Sequence, residues 1–131
     1  MGGWIVTQDQ ARLLALYVTA ELATYRTVRE GNREKAWVAL ERAHILSQPL
    51  FWPHLRVHAT MLAYGLHCGD IREVLGQFAR LALAPLGAAT GRLPWGNSGR
   101  ARVSAFAPAP VAPALARRLR EAGVTQVRAQ R

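Results

Sequence analysis

Residues Glu41–His58 read ERAHILSQPLFWPHLRVH, and this stretch decides the fold. Its first part, through Leu46, continues an apolar stripe at helical spacing. Ser47 to Phe51 then breaks the pattern, with Pro49 as punctuation. A second helical pattern starts at Trp52 or Pro53, where the missing proline N–H has no intrahelical partner. The stretch is therefore the corner of a helical hairpin. It also holds three of the four histidines of the chain.

Working outward, Arg33 to Leu46 reads as a helix with Ala36, Trp37, Leu40, Ala43 and His44 on its inner face. Asn32 can cap it, and Glu34 suits the positive end of its dipole. Before it, Gln8 to Glu30 reads as a helix carrying Leu13, Leu16, Tyr17, Ala20, Ala23 and Val28. Thr7 and Gln10 have capping-box spacing. Gly31 and Asn32 both tolerate the left-handed conformation that ends many helices. After the corner, the helix to His67 is apolar nearly all round, which predicts neighbours on every side. Gly69-Asp70 separates it from a fourth helix, Ile71 to about Leu83, with Val74, Leu75, Phe78, Leu81 and Ala82 inward and Pro85 as its stop.

Gly31-Asn32 and Gly69-Asp70 are followed by matching apolar positions, Ala36/Val74, Leu40/Phe78 and Ala43/Leu81. That is the pattern of the second helix of a tetratricopeptide-type repeat. Residues 86–113 shift to Gly, Pro, Ala and Arg and predict a strap over the core, with Trp95, Val103 and Phe106 as its packing residues. Residues 114–122 read as a short helix with Leu115, Ala116 and Leu119 inward and Arg117, Arg118 and Arg120 outward. Residues 123–131 form a basic tail. The chain is thus predicted to be one all-α domain over 1–131, with two antiparallel, tetratricopeptide-like helical hairpins in 8–85.

Composition narrows the function. Half of the 131 residues are apolar, as in a globular protein. A single cysteine, Cys68, excludes an internal disulfide and a cysteine-based zinc cage, and reads as a small buried thiol. No stretch has the length and apolarity of a membrane span, and no secretory signal is evident, so the expected address is the cytoplasm. The net charge is +9, and residues 74–131 carry nine arginines against one glutamate. Such a half can meet nucleic acid, an acidic partner or anionic lipid, but an arginine-rich background composition is the simpler explanation.

Two constellations carry possible chemistry. Glu41 and His44 have the i, i+3 spacing of helical carboxylate metal sites, and His54 and His58 have the i, i+4 spacing of one helix face. Across a hairpin corner the four can converge, a donor set for a divalent transition metal such as zinc. The helix dipole favours neutral His54, the ligand form. The alternative is that these histidines are structural, bonding loop carbonyls or capping a helix. Gly91–Ser98, GRLPWGNS, has P-loop spacing, but Asn97 stands where the lysine must be. Arg92, Gly96, Asn97, Gly99, Arg100 and Arg102 remain as a candidate binding loop for an anion. No catalytic triad or nucleophile elbow is present.

Four segments resemble a small bacterial family, domain of unknown function family 3703. They are LERAHILSQ (40–48), HLRVHATML (54–62), REVLGQ (72–77) and GRLPWGNSGRARVSAF (91–106) with the proline-rich run after it. The resemblance implies a helical protein of similar size with no established activity. It also implies that Glu41, His44, His54, His58, Gly96, Asn97, Gly99 and Phe106 lie in family motifs. The leading expectation is a helical module that binds a protein or peptide, or a second copy of itself. A metal-binding protein and a nucleic-acid-binding protein are the alternatives.

Overall fold

Thr7 starts the first helix through a reciprocal cap. The Gln10 N–H donates to Thr7 Oγ1 at 3.2 Å, and the Thr7 N–H donates to Gln10 Oε1 at 2.9 Å. The structure, a computed structural model, describes residues 6–90, 97–103 and 109–124, and of 87–90 the backbone alone. It contains α1 (Gln8–Val28), α2 (Arg33–Ser47), α3 (Phe51–His67), α4 (Ile71–Thr90) and α5 (Pro113–Glu121). The fold is all-α, with no strand among the described residues. The α1 helix packs along α2, and α3 along α4, while α2 joins the two pairs through α3. No described helix is long and apolar enough to cross a membrane.

The inner face of α1 is Leu14, Val18, Leu22 and Tyr25; of the stripe the sequence suggests, Leu13, Tyr17 and Val28 pack half-buried against it, whereas Leu16, Ala20 and Ala23 are exposed. Alanines and leucines flank both stripes, so periodicity alone does not separate them. The α2 face is as predicted, with Ala36, Trp37, Leu40, Ala43 and His44 buried. Asn32 caps α2 by accepting the Lys35 N–H at 2.9 Å. Neither Gly31 nor Asn32 is left-handed; α1 ends through right-handed Arg29. Gly69 does take positive φ, and its N–H and that of Asp70 bond back to Leu66 and Gly65. This is the Schellman closure of α3.

Three expectations for the second half change. The α3 helix buries one face, through His54, Val57, His58, Met61 and Tyr64, and leaves Trp52 and Leu66 exposed. Helix α4 runs through Pro85 to Thr90, because one missing N–H removes a single bond from an otherwise helix-forming run. It turns Leu75 and Phe78 outward, 64% and 58% exposed, while Glu73 and Gln77 are buried. Val74 is buried like its counterpart Ala36, whereas Leu40, the counterpart of Phe78, lies in the core. Within the predicted strap, residues 97–103 lie against α2 and α4. Trp95 and Phe106 lie outside the described residues, as do 125–131. Cys68 is half-buried at the end of α3.

The core joins α1, α2, α3 and α5 around Leu14, Leu40, Met61, Tyr64, Leu115 and Leu119. The Tyr64 ring meets Tyr25 edge-on at 5.3 Å and tilts against Trp37 at 5.1 Å. Helix α5 is pinned by charge as well. Glu21 Oε1 accepts from Arg118 Nη1 at 2.8 Å and from Arg42 Nε at 3.0 Å, so Arg118 folds inward rather than outward. Tyr17 adds a hydrogen bond to Glu121 at 3.0 Å. Replacing Glu21 by Ala leaves two half-buried guanidinium groups without their shared acceptor. The variant is expected to lose about 2 kcal/mol of stability, measured by urea unfolding.

Candidate metal centre

His44 occupies the last turn of α2, on the face that buries Leu40, Ala43 and Ser47. His54 and His58 lie one turn apart in the first half of α3. Leu50 precedes α3 and accepts the His54 N–H at 2.9 Å, so the corner holds His54 in the first turn. Pro53 falls at the third helical position rather than the first, still among the residues whose N–H needs no helical partner. The corner thereby brings all three imidazoles together, each of them buried.

The ring nitrogens face one another in a defined way. His44 Nε2 and His58 Nε2 are 3.2 Å apart, and His58 Nε2 and His54 Nε2 are also 3.2 Å apart. Two nitrogens bound tetrahedrally at zinc–imidazole distances would stand about 3.3–3.4 Å apart. One ligand atom from each of the three residues lies within 4.8 Å of the others.

The opposite nitrogens fix two of the tautomers, those of His44 and His58. His44 Nδ1 lies 2.7 Å from the Asn97 carbonyl, which only accepts, so Nδ1 carries the proton. His58 Nδ1 lies 2.7 Å from Gln77 Oε1. The Gln77 amide cannot flip, because its Nε2 donates to Glu73 Oε1 and to the Gly99 carbonyl, both at 2.8 Å. His54 Nδ1 makes a long contact, 3.5 Å, to Ser47 Oγ, whose own proton goes to the His44 carbonyl. The Nε2 atoms of His44 and His58 are therefore bare lone pairs aimed at each other, and His54 Nε2 faces the second of them. Lone pairs at 3.2 Å repel unless a cation sits between them.

A proton is a poor choice of cation here. Burial pushes His44 well below its ordinary value, helped by the neighbouring His58 and His54. Burial, with His58, pushes His54 down to about 3. Burial also lowers His58, against the opposing hydrogen bond to Gln77. The imidazoles are neutral near pH 7, the state that ligates metal.

The other candidate residues have different roles. Glu41 is not in the cluster; its Oε1 accepts from Arg100 Nη1 at 3.2 Å. Its carboxyl is raised by partial burial despite that partner. The Arg100 guanidinium also donates from Nε to Glu73 Oε2 at 3.0 Å and lies 3.8 Å over the Trp37 ring. Asn97 turns its Oδ1 to the Gly99 N–H at 2.9 Å. Gly99 has φ +79, and a Cβ there would lie 2.6 Å from the His44 ring. Residues 97–101 therefore form a lid on the histidines, and Arg102 is exposed beside it. Arg92 and Gly96 lie outside the described residues. His67 lies apart, exposed near Glu30.

Sequence reasoning missed the residues that hold the lid down. Glu73, Gln77 and Arg80 stand at i, i+4 and i+7, one polar stripe on an otherwise apolar α4, and that stripe was the available signal. Glu73 Oε1 also accepts the Ala101 N–H at 3.1 Å. Arg80 Nη2 donates to the carbonyls of Arg100 and Val103.

Compared with known families, residues 12–119 match the one described as protein of unknown function DUF3703. The chain belongs to that family. The match spans the three histidines, the α4 stripe and the lid, so the whole cluster lies within family sequence. No curated protein and no solved structure matches the chain.

Two outcomes follow from this geometry. Gly99→Ala forces a left-handed alanine against the His44 ring and is expected to cost about 2–4 kcal/mol in urea unfolding. The second concerns pH. Folded-state pKa values of the three histidines lie below the unfolded value of about 6.5, so below that pH the unfolded chain binds more protons. Metal-free protein should be insensitive above about pH 6.5 and lose stability as pH falls below it. The expected slope is about 1.4 kcal/mol per pH unit for each histidine still neutral in the fold, read from unfolding curves between about pH 7.5 and 5.

Proposed function

We propose that the protein binds a transition-metal ion through Nε2 of His44, His54 and His58. The observation that carries this reading is the convergence of the three buried Nε2 atoms, with two of their separations at 3.2 Å. Outward Nδ1–H contacts of this kind are what orients metal-ligating histidines elsewhere. An all-imidazole set suits zinc, copper, nickel, cobalt or iron rather than magnesium or calcium. Glu41, included by spacing, is left out of the ligand set because Arg100 holds it.

Binding of a protein or peptide is the second reading. It is favoured by the outward apolar stripe of α4, in which Ile71, Leu75, Phe78 and Leu86 follow helical spacing. The nucleic-acid reading draws less support, because Arg80, Arg100 and Arg118 of the basic half are spent on internal carbonyls and carboxylates.

The deciding measurement is metal analysis of protein purified without a histidine tag, alongside His54→Ala. One ion per chain, lost in the variant, is the expected result. A cooperatively folded protein that holds no metal and takes up none when zinc, copper, nickel or cobalt is added would overturn the proposal.

A further inference from the structure

We propose that the metal held by His44, His54 and His58 takes its fourth ligand from solution, and that this ligand is a small anion. The inference rests on the metal reading above and adds a binding position to it.

A tetrahedral site needs four donors, and the side chains here supply three. Every histidine, cysteine, aspartate and glutamate of the sequence lies among the described residues, and only the three histidines group around a common point. The two carboxylates tied to the lid are both engaged elsewhere. Glu73 accepts from Gln77, Ala101 and Arg100, and Glu41 accepts from Arg100. Three imidazoles leave a tetrahedral metal one position short, the arrangement that admits an exogenous ligand.

Charge points the same way. The three ligands are neutral, and so are the groups behind them: a backbone carbonyl, the Gln77 amide and the Ser47 hydroxyl. A carboxylate at any of these positions would have supplied negative charge, as is common behind metal-bound histidines. Instead the side chain that follows Gln77 on the polar stripe of α4 is Arg80, a cation bonded to the lid carbonyls of Arg100 and Val103. The two carboxylates Glu73 and Glu41 are matched in number by Arg100 and Arg80, which leaves no net negative charge around the ligands. A divalent ion in this buried setting keeps its excess positive charge, and burying uncompensated charge is costly. A small anion at the open position removes most of that cost, whereas a neutral ligand does not.

The test uses the full chain loaded with Co(II), whose visible absorption reports its coordination. Azide serves as the probe anion. One cobalt per chain, with bands that shift saturably as azide is added, is the expected result. Because coupling is reciprocal, azide should also tighten cobalt binding, by about tenfold. One cobalt per chain with bands and affinity unmoved by azide would overturn this inference and leave the metal site standing, closed by the chain itself. Failure to take up cobalt, or any other transition metal, would instead remove the metal reading and this inference with it.

Discussion

Glu73 is a carboxylate with 1% of its surface exposed, and the lid, the histidines and the second hairpin meet at it. It holds Gln77 in one orientation, accepts a lid amide, and neutralises Arg100. Each contact alone is worth only about 1–3 kcal/mol. Their joint effect is directional. With its Nε2 committed to Glu73 and to Gly99, Gln77 has only its oxygen to offer His58. A fixed proton on His58 Nδ1 then leaves Nε2 bare. A buried charge on α4 thus sets which nitrogen of a histidine on α3 is free to bind.

The lid is held in kind by main-chain groups. Arg80 donates to two lid carbonyls, and the Asn97 carbonyl accepts from His44. Few of these contacts depend on the identity of lid side chains. Arg100 is the exception, packed flat on Trp37 while paired to Glu73 and Glu41. It joins the lid to α2 and α4 at once.

Local signals made much of this legible. Thr7 with Gln10, Asn32, and Gly69 act where spacing put them, because capping depends on neighbours a few residues away. The inner face of α2 and the helical spacing of His54 and His58 are equally local. Other features depend on residues far along the chain. Glu41 sits at metal-site spacing from His44, yet Arg100 claims it from the far side of α4. The inward face of α4 is polar, so a rule that apolar residues turn inward chose Leu75 and Phe78 over Glu73 and Gln77. The α1 stripe went astray for a different reason: a helix rich in Ala and Leu has two faces of similar hydropathy, and packing decides between them.

The contact between Gly99 and the His44 ring ties two positions that no local rule connects. The imidazole fills the space a side chain at 99 would need, and the missing side chain at 99 lets the lid carbonyl reach the imidazole. Neither position can drift freely while the other stays as it is. In evolutionary terms the contact makes the choice of residue at 44 depend on the glycine at 99. A lineage that gives up the histidine frees the space but not the backbone, whose φ of +79 still favours glycine.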